Sequence, residues 1–190
     1  MNSDNIKQSV RVLWQGLWLA AMVLGLMAGN ASALEVSSKE EAVKMAFPGA
    51  DKIIKKRIRM TSAQRAAIGK LSTQMIRDKT MSFYNGLKSG QNMGYAVVER
   101  ETNRSWSISY MVVMNVDGTV KDVEVLSLEG PRNWGVQYQS WLEQFIGMNS
   151  DSDFRSVSGI TGATISVRTI TAGVQKVVSA YQVIYLDKVK

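Results

Sequence analysis

The chain has 190 residues, room for one domain of ordinary size, and a formal net charge of +7 at pH 7. It contains no cysteine and no histidine, which excludes disulfides, iron–sulfur clusters, thiolate or imidazole zinc sites, His-ligated haem and His-dependent triads. Chemistry must therefore come from hydroxyls, carboxylates, amines or a bound organic cofactor. Five Trp and six Tyr leave aromatic surface for stacking on a planar ring.

Residues 1–33 read as a signal peptide. Lys7 and Arg11 precede the apolar run LWLAAMVLGLMAG, and Ala31-Ser32-Ala33 fits a small-residue cleavage site with Leu34 as the first mature residue. The apolar core Leu17–Ala28 is 12 residues long, short of the ~20 that a spanning helix needs. Extended back to Val12 it reaches 17, so a retained anchor is the alternative. The expected location of residues 34–190 is the periplasm or the outer face of the cytoplasmic membrane. Absence of cysteine excludes a lipoprotein anchor and suits an oxidising compartment. An exported protein does not meet nucleic acid, so the basic balance points to anionic ligands, acidic partners or a membrane face.

In chain order, SSKEEAVKMAF reads as a short helix capped by Ser37 or Ser38, with Glu40 or Glu41 three positions on and Pro48 past its end. Residues 52–59 read as a strand with Ile53, Ile54 and Ile58 partly buried. Its cations Lys52, Lys55, Lys56, Arg57 and Arg59 form either a solvated face or a docking patch for an acidic partner. Residues 60–79 read as a second helix, capped by Thr61 or Ser62, with Ala66, Ala67, Leu71 and Met75 near one face. GYAVVERE and SWSISYMVVMNV are strands joined by TNR, the second with a wet Ser-rich end and a buried centre. The Asp117-Gly118 turn leads to a third strand with Val120, Val123 and Val125 as core positions. These three strands are expected to form an antiparallel meander. EGPRNWG breaks the sheet, YQSWLEQFIG reads as a helix ending at Gly147, and MNSDSDF is a polar loop. The last helix runs from Ile165 to about Tyr185, with Ile170, Val174, Val177, Val178 and Tyr181 facing the core. The fold class is α+β: an antiparallel sheet flanked by helices, with a long C-terminal helix starting at the TGAT motif.

That motif carries the chemistry. A helix N-terminus exposes unpaired N–H groups and a partial positive charge, which together favour a phosphate. Gly162 and Ala163 allow close backbone approach, and Thr161, Thr164 and Ser166 add hydroxyls. On these residues alone, an ordinary threonine cap remains the alternative to an anion site.

ITGATIS followed by AGVQKVV resembles the FMN-binding domain of periplasmic flavoproteins and of the flavinylated subunits of Rnf and Na+-translocating NADH:quinone reductase complexes. MAFPGAD, MTSAQRAAI, MGYAVVE, VDGTVKDVEVLSLEGPRNWG and WLEQFIGMNS resemble further blocks of that family, covering most of residues 40–180. The resemblance implies FMN as cofactor, joined by a phosphoester to Thr164 by a flavin transferase that uses FAD as donor. The family motif is close to D-x-x-(S/T)-G-A-T; its Asp falls at Ser158 here, and Asp151 and Asp153 are out of register. The isoalloxazine needs an aromatic or apolar slot with a few polar contacts. Trp134 and Trp141 are ring candidates after the meander, and Glu129 and Arg132 are candidates for ring or ribityl contacts.

No metal cluster and no substrate-specific catalytic group stand out. The expected role is an exported electron carrier that meets a redox partner protein or a membrane complex, rather than an enzyme with its own substrate. The competing expectation is a non-redox ligand-binding or complex-stabilising module of the same fold without covalent flavin.

Overall fold

The structure, a computed structural model, describes residues 39–103, 106–130 and 134–189. The signal segment, the Ser37/Ser38 cap and Arg132 lie outside these residues. The chain runs α1 (Lys39–Ala46), β1 (Lys52–Arg59), α2 (Ser62–Ser72), β2 (Thr80–Lys88), β3 (Gln91–Asn103), β4 (Trp106–Met114) and β5 (Val120–Glu129). A 3-10 turn (Trp134–Gln137), α3 (Gln139–Leu142), two further 3-10 turns (Glu143–Phe145 and Phe154–Ser156) and α4 (Thr164–Tyr181) follow, and α4 ends in a π-helical segment, Gln182–Leu186.

All five strands pair antiparallel in the order β1-β2-β3-β4-β5. The α+β architecture and the meander match the expectation, with β2 an addition that the sequence reading passed over. Strand periodicity sorts β4 between the two faces: Ile108, Tyr110, Val112 and Met114 join one core, Met111 and Val113 the other. The first face is covered by α2 and α4. Ile170, Val174, Val177, Val178 and Tyr181 are buried there, as the helical spacing predicts, each large side chain contributing about 1.5–3 kcal/mol. The second face is covered by α1 and the residue after it: Ala42, Val43 and Phe47 pack with Tyr84, Ala96, Met111 and Val113. Phe47 sits so close to Gly86 that a Cβ there would lie 2.5 Å from its ring.

Three local expectations change. The second helix stops at Ser72, because Thr73 turns left-handed at φ 53. Ile68 and Ser72 are its buried residues, and Met75, beyond its end, is exposed. Its start is as expected: Thr61 Oγ1 accepts from the Gln64 N–H at 3.1 Å, and Gln64 Oε1 accepts from the Thr61 N–H at 2.9 Å. The helix expected over 138–147 is a single α-turn continued as a 3-10 turn, which leaves its residues free to bond to other segments. Ser107, expected at a wet strand end, is buried and donates to Glu129 at 2.9 Å.

α4 is tied down along its length. Near its end, Tyr181 donates its hydroxyl to the Val116 carbonyl at 2.8 Å. Midway, the Lys176 ammonium bonds Glu99 at 2.7 Å and Glu101 at 3.2 Å on β3. Burial pulls that ammonium's pKa down, but the two carboxylates outweigh burial and hold it above its usual value.

Candidate functional site: an uncapped helix start

The segment that leads into α4 makes a tight turn. The Ala163 N–H bonds the Ile160 carbonyl at 3.1 Å, and Gly162 at the third position has φ +83. A type II turn requires that conformation, and glycine adopts it without cost. The Ala163 carbonyl then accepts from the Val167 N–H at 2.9 Å, which starts the helix. Ala163 is the N-cap and brings no capping side chain, and the first turn holds no acidic residue. The positive end of an 18-residue helix is thus left without the Ser, Thr, Asp or Asn cap found at most helix starts.

The turn divides the predicted residues by face. Thr161, Gly162 and Thr164 are exposed, whereas Ala163 and Ser166 are buried. Thr164 presents its hydroxyl in the first turn of α4, and Thr161 presents a second one just before it. A Cβ built on Gly162 would meet nothing within 4 Å, so the backbone there is open to an incoming group. Ser166 lies on the inward side of the turn and is not one of the exposed hydroxyls.

Two elements clamp the chain just before the turn. Trp141 on α3 donates its indole N–H to the Ser158 carbonyl at 2.8 Å, and the Ser158 N–H bonds Gln144 Oε1 at 2.8 Å. The 3-10 turn beyond the sheet presses on Ile160: a Cβ on Gly135 would lie 2.6 Å from the Ile160 side chain. Trp134 precedes Gly135 in the same 3-10 turn, and its side chain lies outside the described residues. Trp141 itself is buried, with its ring edge-on to Phe145 at 5.3 Å, so it supports the site from within and is not a surface for a flavin ring. Glu129 closes β5, where it accepts from Ser107 at 2.9 Å and pairs with Arg100 at 3.5 Å.

At the motif's carboxylate position, Ser158 is exposed and only its backbone is engaged. The neighbouring Asp153 is committed elsewhere. It accepts from the Arg155 N–H at 3.1 Å and from Arg155 Nε at 3.0 Å, and these bonds hold its carboxyl below the usual carboxylate range.

Two residues of this region were not legible beforehand. Gln144 clamps Ser158 from 14 positions away, a pairing that no local pattern announces. Tyr138 is 62% exposed between the 3-10 turn and α3; a helical reading of 138–147 gave no reason to single it out.

The helix start thus presents two exposed hydroxyls, with no capping side chain and no acid in its first turn, features that at a helix N-terminus favour an anion. Among curated proteins nothing matches the chain. Residues 105–179, from the edge of β4 through the turn and into α4, match the family model of the FMN-binding domain, a match that indicates FMN as the cofactor.

Proposed function

We propose that the protein is an exported flavoprotein that carries electrons, with FMN joined through its phosphate to Thr164. The observation that supports this reading best is the exposed Thr164 hydroxyl at a helix start that lacks a capping side chain. The residues present fit the group: the open space over Gly162 admits a phosphate, the first-turn N–H groups favour its charge, and Thr161 adds a donor. In the attachment step Thr164 Oγ bonds to the FMN phosphorus of FAD, the pyrophosphate bond breaks, AMP leaves and the hydroxyl proton passes to base. The family resemblance assigns this step to a flavin transferase. The flavin ring is untouched by it, and FMN when bound supplies one- or two-electron chemistry. A tether also removes dependence on free FMN outside the cytoplasm.

The partner on this reading is a redox protein or membrane complex that the protein meets at the periplasmic side, with residues 1–33 directing export. A second reading, a non-redox module of the same fold, is favoured by one residue: Ser158 stands where the family has Asp, and Asp153 is held by Arg155. Co-expression with a flavin transferase distinguishes them. The carrier returns yellow with colour retained after denaturation, and the module returns colourless.

A further inference from the structure

We infer that Tyr138 is the residue that packs against the isoalloxazine ring of the FMN held at Thr164, an assignment that rests on the reading above. A flavin is large, flat and mostly apolar away from its phosphate, so its ring needs an aromatic face within the reach of the ribityl arm. Among the described side chains, few aromatics qualify. Trp141 is buried and hydrogen-bonded. Phe83, Tyr95, Tyr181 and Tyr185 pack on one another at the far end of α4. At 1.5 Å per residue that end is about 26 Å from Thr164, beyond the span of an FMN.

Tyr138 is placed differently. Its N–H bonds the Gly135 carbonyl at 3.2 Å, and its own carbonyl accepts from the Trp141 N–H at 2.9 Å. Gly135 presses on Ile160, and Trp141 bonds Ser158. The residue thus bridges two contacts with the strand of chain that enters the TGAT turn, and its backbone is fixed on both sides. Its side chain is nevertheless 62% exposed, so a fixed backbone presents a free aromatic face. Ile165, next to Thr164, is also 62% exposed and supplies an apolar surface at the phosphate end. An electron-rich phenol against an electron-poor flavin is a favourable stack, and it is also an efficient quencher of flavin fluorescence.

The test uses the full chain co-expressed with a flavin transferase, as wild type, Tyr138→Phe and Tyr138→Ser, with FMN counted by absorbance and the adduct by mass. Phenylalanine keeps the stack but cannot donate an electron to the excited ring; serine removes both. The assignment predicts that, per flavin attached to Thr164, fluorescence rises at least about threefold in both variants, with the visible band shifted only in Tyr138→Ser. Unchanged fluorescence per flavin in both variants overturns the assignment of Tyr138 and leaves the FMN reading standing. Absence of FMN from the wild type overturns that reading and this assignment together.

Discussion

The indole N–H of Trp141 and the carbonyl of Ser158, 2.8 Å apart, couple the core to the entrance of the TGAT turn. Trp141 is anchored by burial and by Phe145, so the bond transmits a rigid position to a surface segment. Trp141→Phe keeps most of the packing and removes the donor. It is expected to cost about 1–3 kcal/mol in urea unfolding and to lower the fraction of chains that take up FMN. Full loading at wild-type stability would mean the bond does not position the turn.

Gly173 lets α4 pass directly over Tyr110. A Cβ at Gly173 would run into the Tyr110 hydroxyl, and the ring behind it lies 2.5 Å away. Gly173→Ala is therefore expected to destabilise by more than about 3 kcal/mol, as overpacking in a rigid core does, and Tyr110→Phe added to it should recover only a part. Tyr110→Phe alone should leave stability within about 1 kcal/mol of wild type or raise it, because the buried hydroxyl has no hydrogen-bond partner among the described residues. Thermal unfolding of the three variants reads both effects.

Stability is expected to fall on the alkaline side. Burial pushes the Tyr110 phenol well above its usual value, with Glu99 and Glu101 adding to the rise. Burial, then Tyr95, pushes Tyr185 up to about 12, and Tyr181 rises for the same first reason. Lys176 is also raised, its two carboxylates outweighing burial. All four groups hold their protons more tightly when folded. Their contribution is complete below about pH 10, where the unfolded chain is still protonated, and is lost as pH climbs through the folded values. The urea midpoint should stay level up to that point and then drop, less steeply in Tyr185→Phe. A midpoint constant to pH 12 would contradict these shifts.

Lys176 also gives a prediction at neutral pH. Its side chain is 9% exposed, and that of Glu99 is 16% exposed. Lys176→Met removes the ion-pair partner that Glu99 has among the described residues and is expected to cost about 3 kcal/mol, whereas the double change with Glu99→Gln should cost less. A double-mutant cycle on denaturation midpoints measures the difference.

Ser158→Asp restores the motif carboxylate at an exposed position whose backbone bonds to Trp141 and Gln144 do not involve the side chain. Stability should change by less than about 0.5 kcal/mol. The rate of FMN attachment should rise, read as adduct fraction against time of induction. A slower rate would place the carboxylate outside the attachment chemistry.

Legibility from sequence followed the range of the interactions. The face of α4 was read correctly because Ile170, Val174, Val177, Val178 and Tyr181 repeat at helical spacing, and the capping box at Thr61 and Gln64 is local as well. β2 carries only a weak local signal, Met81 and Phe83 alternating ahead of Gly86; that glycine admits Phe47, just past α1, a contact set by tertiary packing. The break in the 138–147 helix has the same origin. Trp141 and Gln144 spend their polar groups on Ser158, which the chain brings close only when folded. At the site, the motif announced the helix start, while the inward turn of Ser166 and the exposure of Tyr138 depend on backbone geometry that spacing does not encode.

Intact-mass and peptide mass spectrometry of the protein co-expressed with a flavin transferase tests the central claim most directly. The expected result is one FMN added through its phosphate, located on the peptide that contains Thr164, and lost in Thr164→Val while the fold is kept. An unmodified wild-type chain, or a Thr164→Val chain that still carries the adduct, would contradict it.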